Sequence, residues 1–369
     1  MSRTHPLPVP RRPLVDVVVV GAGVTGSAAA WRLARRGAKV LVLDRSPAAR
    51  RHAAHGASRI FRHADPSGHH LRLAAQALPL WRELEAETGA QLLTITGGVD
   101  HGDPGTTAAI AAVLAAHGVR HEWLDPSDAA LRWSGMRFDG PVLHQPDGAG
   151  RIDADQAVAA LVAAARGRGA EVRRRVTATA VEVLGDDLAH VHTSVGVVAA
   201  RRVVVAAGAD TASLLDGAVA PPAPRVVWEP AALFPFHDVP PCVARPGAWP
   251  TFVHHGPGGH GLADPSGDVR VGLRAAGDDR DRDDHTAAAE GLARLQDYVA
   301  AWLPGLDASR PRPVTATSSA RPADGLRPVR HGPVVVGGST GGHGLGHAPA
   351  VGEALAALAG ERTPATVGA

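Results

Sequence analysis

Three glycines near the start of the chain have the spacing of a phosphate-binding turn. They occur in the run GAGVTG at 21–26, which follows an apolar stretch and opens a helical pattern. Gly21 would allow the tight turn, Gly23 would let the backbone approach a pyrophosphate, and Gly26 would let the helix pack closely on the strand. Free N–H groups at the helix N-terminus would then bind the phosphates. The predicted dinucleotide-binding residues of this run are Gly21, Gly23, Val24, Thr25 and Gly26.

An acidic residue follows this cradle at the end of the second apolar stretch. Asp44 lies about 20 residues beyond Gly21, where its carboxylate would accept a hydrogen bond from a ribose 2′-OH. These residues alone leave FAD and NAD open. Two features favour FAD. Ala30 and Gly37 continue the glycine spacing as the FAD-type fingerprint does. A strand, a glycine-rich loop and a helix near the C-terminal end would close the same nucleotide domain, which an NAD dehydrogenase would not usually need.

The composition excludes several classes of protein. The 369 residues are 45% hydrophobic, which is ordinary for a globular chain of two to three domains. The net charge is +2, so charge alone predicts no attraction to nucleic acid or membranes. Cys242 is the only cysteine, which excludes an intramolecular disulfide and a cysteine-based zinc site. We find no secretory signal and no apolar run of the ~20 residues that span a membrane, and we expect a cytoplasmic protein.

Hydrophobic periodicity places the cradle in an α/β fold. The runs at 15–20 and 38–43 are typical of buried parallel strands, and 24–36 between them predicts a helix, which completes a βαβ unit. A second α/β block follows, with a helix at 154–166 and a buried strand at 202–207. The other predicted elements are helices at 71–88, 286–302 and 349–359, a strand at 333–337, short strands within 91–150, a hairpin within 170–198 and strand-like alternation at 251–277.

Four stretches of the chain form a recognisable set. They are VVVVGAGVTGSAAAWRLARRGAKVLVLDR (17–45), HGASRIFRHAD (55–65), RRVVVAAGAD (201–210) and GGHGLGHAPAVGEALAAL (341–358), with a looser fifth match at 261–273. With these motifs, in this order, the chain resembles the amine-oxidising flavoproteins of the D-amino-acid-oxidase superfamily. It most closely resembles the branch of monomeric sarcosine oxidase and N-methyltryptophan oxidase. The second stretch is the specific one, because FAD proteins in general do not share SRIFRH.

The resemblance implies an α/β fold with a discontinuous Rossmann-type FAD-binding domain and a mixed-sheet α+β substrate domain. The predicted FAD-binding domain comprises 15–90, 150–217 and 315–365, the substrate domain comprises 91–149 and 218–314, and 1–14 form a flexible N-terminus. The resemblance also implies oxidation of a C–N bond by hydride transfer to flavin N5, with dioxygen as the electron acceptor.

Site residues carry over from the family position by position. Arg62 would bind a substrate carboxylate through its planar guanidinium, whereas Arg59 and His55 would lie near the flavin ring. For both arginines the alternative is an ion pair on a helix face. The loop at 341–344 would line the flavin, and the start of the last helix would stabilise negative charge on the reduced ring. The other predicted flavin-binding residues are Arg45, Ser58, Val181, Gly208, Gly342, His343, Gly344, Leu345 and Gly346.

Three positions depart from the branch. Its flavin-linking cysteine falls at about Thr317 here, and Cys242 is too far along the chain to serve, so we predict non-covalent FAD. Its oxygen-promoting lysine is replaced by Arg270, which keeps the charge but cannot lose its proton. A second lysine, which helps to hold the substrate carboxylate, falls at Gly346. Either Arg62 works alone, or the substrate is not a simple amino acid and a larger or neutral amine fits the opened pocket.

Twenty histidines invite a metal-binding interpretation, but none stands in HExxH or a similar spacing, and we predict no metal. His254, His255 and His260 lie in the segment that covers the substrate side in the family. With an ordinary pKa near 6.5, one of them could act as a base. The acidic run at 278–284 has calcium-loop spacing but aspartate at the required glycine, so it is typical of a charged turn. The predicted catalytic residues are Arg62, Arg270 and His260.

Two other functions stay open beside an amine oxidase. One is a flavin dehydrogenase that uses another electron acceptor. The other is a flavin-binding protein that has lost its active-site lysines and does not turn over amines. We expect a monomer that acts on a small-molecule amine and dioxygen, with no nucleic-acid or membrane partner.

Overall fold

The structure, a computed structural model, describes residues 15–47, 58–215, 225–237, 249–274, 285–321, 327–337 and 343–360. Within these ranges the chain forms nineteen strands and eight helices. The strands are β1 (Val15–Val20), β2 (Val40–Asp44), β3 (Arg59–Phe61), β4 (Leu93–Ile95), β5 (Gly98–Gly102), β6 (Glu122–Leu124), β7 (Val142–Gln145), β8 (Gly150–Ile152), β9 (Glu171–Arg174), β10 (Ala178–Gly185), β11 (Leu188–Thr193), β12 (Gly196–Val205), β13 (Arg225–Phe234), β14 (Thr251–His255), β15 (Gly259–Ala263), β16 (Val269–Leu273), β17 (Arg312–Arg321), β18 (Val329–His331) and β19 (Val334–Val336). The helices are α1 (Val24–Arg35), α2 (Gly68–Thr88), α3 (Pro104–Ala116), α4 (Pro126–Arg132), α5 (Ala154–Gly167), α6 (Thr211–Leu214), α7 (His285–Trp302) and α8 (Gly344–Gly360).

The first sheet carries the glycine cradle. Its strand order is β10-β11-β12-β1-β2-β9, with β19 on β12 and β18 on β19. β1, β2, β9 and β19 join parallel neighbours, whereas β10 and β11 form an antiparallel hairpin. Of the strands with parallel neighbours, β1, β2 and β19 are largely buried, which explains their continuous Val and Leu runs, whereas β9 at the sheet edge is more exposed. The predicted α/β class with a Rossmann-type nucleotide domain is confirmed.

A layer of helices covers one face of this sheet. α1 packs against both α5 and α8, and α2 packs against α8. Trp31 of α1 and Trp81 of α2 are fully buried in this layer. At the crossing of α1 and α8, a Cβ on Gly352 would lie 2.6 Å from the backbone carbon of Ala28. The two helices therefore approach so closely that only glycine fits at this position.

Replacing Gly352 by alanine will lower the free energy of unfolding. Alanine by itself favours a helix by about 1 kcal/mol over glycine, but overpacking against a backbone costs about 1–3 kcal/mol and outweighs that gain. The matched control is Gly360→Ala, because a Cβ at Gly360 meets nothing within 4 Å. Thermal unfolding of the FAD-loaded protein should show a lower midpoint for the first variant only. Equal midpoints for the two variants would contradict the close approach.

The second sheet is mixed and has the order β17-β13-β16-β15-β14-β5-β7-β6. β14 and β5 run parallel, and the other neighbours run antiparallel. α7 packs on β13 and β16 through a core that includes Phe234, Leu295 and Val299. The predicted domain boundaries stay a prediction. One of them, at 315, falls inside β17, which pairs with β13 of the second sheet.

A small third sheet, in the order β3-β8-β4, holds the start of the SRIFRH stretch. Two features differ from the expected elements. The stretch 91–150 contains α3 and α4 as well as strands, and Asp103 starts α3 by accepting a hydrogen bond from Thr106 N–H at 2.7 Å. The last helix begins at Gly344 rather than near 349, so Pro349 lies inside it and lacks one backbone hydrogen bond.

Candidate active site

The turn between β1 and α1 has the geometry that a bound dinucleotide requires. Gly21 has φ +102°, and a Cβ there would lie 2.5 Å from the Ala206 carbonyl oxygen. A Cβ on Gly26 would overlap the Gly21 carbonyl oxygen. By contrast, a Cβ on Gly23 would meet nothing within 4 Å. Protein therefore closes around the two outer glycines, and space remains at the middle one, where a pyrophosphate would approach.

Within the cradle, Val24 and Thr25 are the first two residues of α1. The residue before them, Gly23, makes no side-chain cap hydrogen bond. The helix N-terminus can therefore offer N–H groups to a phosphate. Asp44 accepts hydrogen bonds from Ala22 N–H and Ser46 N–H, each at 2.7 Å, with a different oxygen for each. Its carboxylate ties the cradle to β2 and keeps lone pairs for a ribose hydroxyl.

Two further predicted flavin-binding residues are neighbours. Arg45 Nη2 lies 2.9 Å from Asp210 Oδ2, and the short turn that contains Asp210 begins at Gly208, which has φ +63°. Val181 lies apart on β10, at the edge of the first sheet, with its side chain buried in an apolar cluster. The predicted residues His55 and Gly342, like Cys242, lie outside the described residues.

Two arginines, one half-buried and one buried, influence each other where β3 meets the second sheet. Arg59 lies on β3, and Arg270 lies on β16 and is 7% exposed. Burial, together with the charge of Arg270, lowers the pKa of Arg59 to about 9. Burial lowers the pKa of Arg270, while Asp264 and Glu229 work to raise it. Arg59 Nη1 also donates a hydrogen bond to the Ser58 carbonyl at 3.3 Å. Two neighbouring cations that are partly or fully withdrawn from water contribute positive charge to this part of the molecule, against which Asp155, Asp264 and Glu229 act.

Arg62 follows β3 and forms a buried ion pair. Its Nη1 lies 2.6 Å from Asp100 Oδ1 on β5, and the two side chains are 8% and 4% exposed. The same oxygen lies 2.8 Å from His255 Nε2 on β14. The ion-pair alternative for Arg59 and Arg62 on a helix face is wrong, because Arg59 belongs to a strand and the partner of Arg62 lies in the second sheet.

His260 lies on β15 opposite Gly272, where a Cβ would come within 2.6 Å of the His260 Nε2. Burial, then the charges of Arg274 and Arg270, lower the pKa of His260 to about 3. Its Nδ1 has no hydrogen-bond partner among the described residues. The expected pKa near 6.5 is therefore wrong for His260, which is neutral at neutral pH and a weak base.

The last predicted flavin-binding residues lie at the start of α8. Gly344 is its first residue, and Leu345 is buried. The Gly346 carbonyl accepts a hydrogen bond from Trp81 Nε1 at 3.0 Å, and a Cβ on Gly346 would lie 3.5 Å from Phe61, an ordinary contact. A Cβ would therefore fit at position 346 without a clash.

An acidic group and three imidazoles surround this helix start. Asp65 lies 3.4 Å from His70 Nδ1 and 3.3 Å from His343 Nε2. Burial works to raise the pKa of Asp65, but His70, His343, the Ser67 N–H and Arg62 together lower it to about 2. The contact with Asp65 raises the pKa of His70, whereas burial lowers the pKa of His343 to about 4 and that of His347 to about 2. The arrangement is a carboxylate that favours the protonated form of His70, beside two imidazoles whose pKa values burial lowers.

These groups belong to one site. The charge of Arg62 lowers the pKa of both His260 and His343, and that of Arg270 lowers the pKa of His260. The structure thus brings the three predicted catalytic residues within electrostatic range of one another, and Arg62 also within range of His343 beside the start of α8. Sequence reasoning assigned no role to Asp100 and Asp65. Asp65 ends the SRIFRHAD stretch, which was a usable signal, whereas nothing in the sequence marks Asp100.

Comparison with known proteins identifies the family. The model of the FAD dependent oxidoreductase family matches residues 16–358. The chain belongs to this family. A monomeric sarcosine oxidase of Bacillus sp. (strain NS-129) is 27% identical, and the match covers 93% of this chain and 92% of the relative. One of Streptomyces avermitilis is 29% identical, with 94% of each chain covered. The solved structure of NikD, an unusual amino acid oxidase essential for nikkomycin biosynthesis, superposes with a TM-score of 0.76 at 28% identity, covering 95% of both chains.

The enzyme is therefore an FAD-dependent oxidoreductase of the amine and amino acid oxidase type. Its cradle fits FAD, because the open space at Gly23 and the carboxylate of Asp44 stand where a pyrophosphate and a ribose would bind. At the position of the expected flavin-linking cysteine, the backbone of Thr317 pairs with Glu229 across β17 and β13. Among the described residues, no helix is both long and apolar enough to cross a membrane.

Proposed function

We propose that the enzyme oxidises the C–N bond of an amine and delivers the electrons to dioxygen. The observation that carries the proposal is the pair of neighbouring cations, half-buried Arg59 and buried Arg270, beside the predicted flavin site. When bound, FAD would supply a hydride acceptor at N5, so that the C–H bond next to nitrogen breaks, the amine becomes an imine with loss of its N–H proton, and the two electrons with two protons reduce dioxygen to H₂O₂. The sarcosine oxidases among the relatives support an amine as substrate.

The positive charges of Arg59 and Arg270 have two effects on this reaction. An ammonium group would be repelled by Arg59 and Arg270, so the bound substrate loses its proton more easily and the neutral amine predominates. His260, itself neutral, can accept a hydrogen bond from the amine N–H. Negative charge that develops on oxygen during reoxidation is stabilised by Arg270, which acts through its charge because a guanidinium keeps its proton.

A flavin dehydrogenase is the second candidate, since arginine replaces the lysine that promotes the oxygen reaction in the resembled branch. Photoreduction without air, followed by admission of air, separates the two. An oxidase regains its oxidised spectrum within seconds, whereas a dehydrogenase stays reduced until an artificial acceptor is added. A flavin-binding protein without turnover would be reduced by light but by none of a broad panel of amines.

We further propose that the FAD is not covalently attached. Thr317 stands where the branch carries its cysteine, and a threonine hydroxyl does not form the thioether that such a cysteine provides. Acid precipitation of the purified enzyme should leave a colourless pellet and a yellow supernatant, with a flavoprotein of covalent type as the control. Yellow colour that stays in the washed pellet would contradict the proposal.

We also propose that the enzyme works as a monomer on a small-molecule amine, since two of its relatives are monomeric sarcosine oxidases. Light scattering of the FAD-loaded protein should give a mass near 37.8 kDa, and a mass twice as large would contradict a monomer. The cytoplasmic location stays a prediction.

A further inference from the structure

Asp100 pairs with the guanidinium of Arg62, the group that we predicted to bind a substrate carboxylate. Arg62 Nη1 and Asp100 Oδ1 are 2.6 Å apart, and both side chains are more than nine-tenths buried. We propose that Asp100 determines specificity by taking the place of a substrate carboxylate at Arg62, so that the enzyme acts on amines whose reacting carbon bears no carboxylate. The inference rests on the proposed amine oxidation and names its substrate class.

The fold holds Asp100 firmly in this place. β5 is an inner strand of the second sheet, where Asp100 pairs with Val253 of β14 on one side and Leu143 of β7 on the other. His255 Nε2, 2.8 Å from the same carboxylate oxygen, provides a second contact. With its backbone fixed on both sides and its side chain shared between two partners, Asp100 cannot move aside at low cost when a substrate enters.

A substrate carboxylate would meet an unfavourable balance of charge at this arginine. It would bring a second carboxylate to a guanidinium that Asp100 already neutralises, and two buried carboxylates that share one cation repel each other. The second clamp is missing too, because Gly346 stands where the resembled branch has a lysine. Phe61, 3.5 Å from a Cβ at 346, makes that part of the site apolar. At Arg62 itself, an uncharged substituent therefore suits the environment better than an anion.

The test uses pairs of amines that differ only by a carboxylate. We would compare pyrrolidine with proline, and N-methyltryptamine with N-methyltryptophan, as reductants of the FAD-loaded enzyme. The wild type should prefer the member without carboxylate in each pair. Asp100→Asn keeps the shape of the side chain but removes its charge, and should shift the preference toward the carboxylate member by about 10- to 100-fold, the effect of hydrogen bonds to a freed charge.

A binding measurement separates this proposal from the proposed function. Benzoate, with benzyl alcohol as its neutral counterpart, can be titrated through the change in the flavin spectrum without any turnover. Benzoate should bind at least about 10-fold more tightly to Asp100→Asn than to the wild type. The matched control is Asp139→Asn, since Asp139 contacts His101 and His254 on the same two strands and not Arg62. It should leave benzoate binding unchanged.

Each outcome decides one claim. If Asp100→Asn retains FAD but binds benzoate no more tightly, or if the wild type oxidises proline as fast as pyrrolidine, Asp100 does not set specificity, although amine oxidation still stands. If benzoate binding tightens but no amine reduces either protein, the specificity role holds and the proposed function fails. Should Asp100→Asn lose its FAD, the wild-type preference alone decides, with Asp100→Glu expected to keep that preference.

Discussion

Replacing Arg270 by methionine will slow the reaction of the reduced enzyme with dioxygen by about 10²- to 10³-fold, the usual effect of removing one preorganised charge from a reacting site. Methionine fills similar space but carries no charge. The buried positive field that stabilises charge on oxygen is then reduced to Arg59, whose pKa should rise because its repelling neighbour is gone. The measurement is a stopped-flow record in which anaerobically reduced enzyme is mixed with buffer that contains dioxygen.

Two controls separate charge from packing. Arg270→Lys keeps the charge and should retain most of the wild-type rate. Arg312→Met removes an exposed arginine that pairs with Asp268, just before the same strand, and should leave the rate unchanged. Reoxidation of Arg270→Met at the wild-type rate, with FAD content intact, would show that the oxygen reaction does not depend on this charge.

The variant Gly23→Ala will weaken FAD binding by about 10- to 100-fold and leave the apoprotein fold intact. Gly23 has φ −70°, which alanine adopts easily, and a Cβ there would touch no protein atom within 4 Å. The added methyl group would instead enter the space predicted for the pyrophosphate, where overpacking costs about 1–3 kcal/mol. The loss of affinity is measured by titrating the apoprotein with FAD and monitoring the quenching of flavin fluorescence on binding.

Gly360→Ala serves as the control for this second variant, since it too adds a methyl group in open space but far along the chain, at the end of α8. It should bind FAD as the wild type does. Wild-type affinity in Gly23→Ala would mean that the dinucleotide does not approach the backbone at this turn, and the assignment of the cradle would have to be revised.

Local patterns explain why much of the nucleotide-binding unit could be predicted from the sequence. β1, α1 and β2 follow one another within about thirty residues, and the glycine spacing reflects contacts between these neighbouring elements. The start of α8 was missed because Pro349 is typical of a first helical turn, whereas packing against α1 and α2 extends the helix back to Gly344. Short-range signals therefore located the elements better than their ends.

The charges of the site could not be predicted in the same way. Asp100 meets Arg62 only because the second sheet places β5 beside the end of β3, and no spacing in the sequence encodes that contact. The pKa of His260 depends on burial, on Arg274 just after β16 and on Arg270 within β16. Residue types thus indicated which groups take part, while the fold decides which of them are neutral, which are charged and which are already paired.

The most direct test of the central claim is anaerobic titration of the FAD-loaded enzyme with pyrrolidine, N-methyltryptamine and other secondary and cyclic amines, with the flavin spectrum as the readout. The account predicts that at least one amine without a carboxylate bleaches the oxidised flavin absorbance, and that admission of air restores it within seconds. If chemical reductant bleaches the flavin but every amine leaves it oxidised, the enzyme is not an amine oxidase.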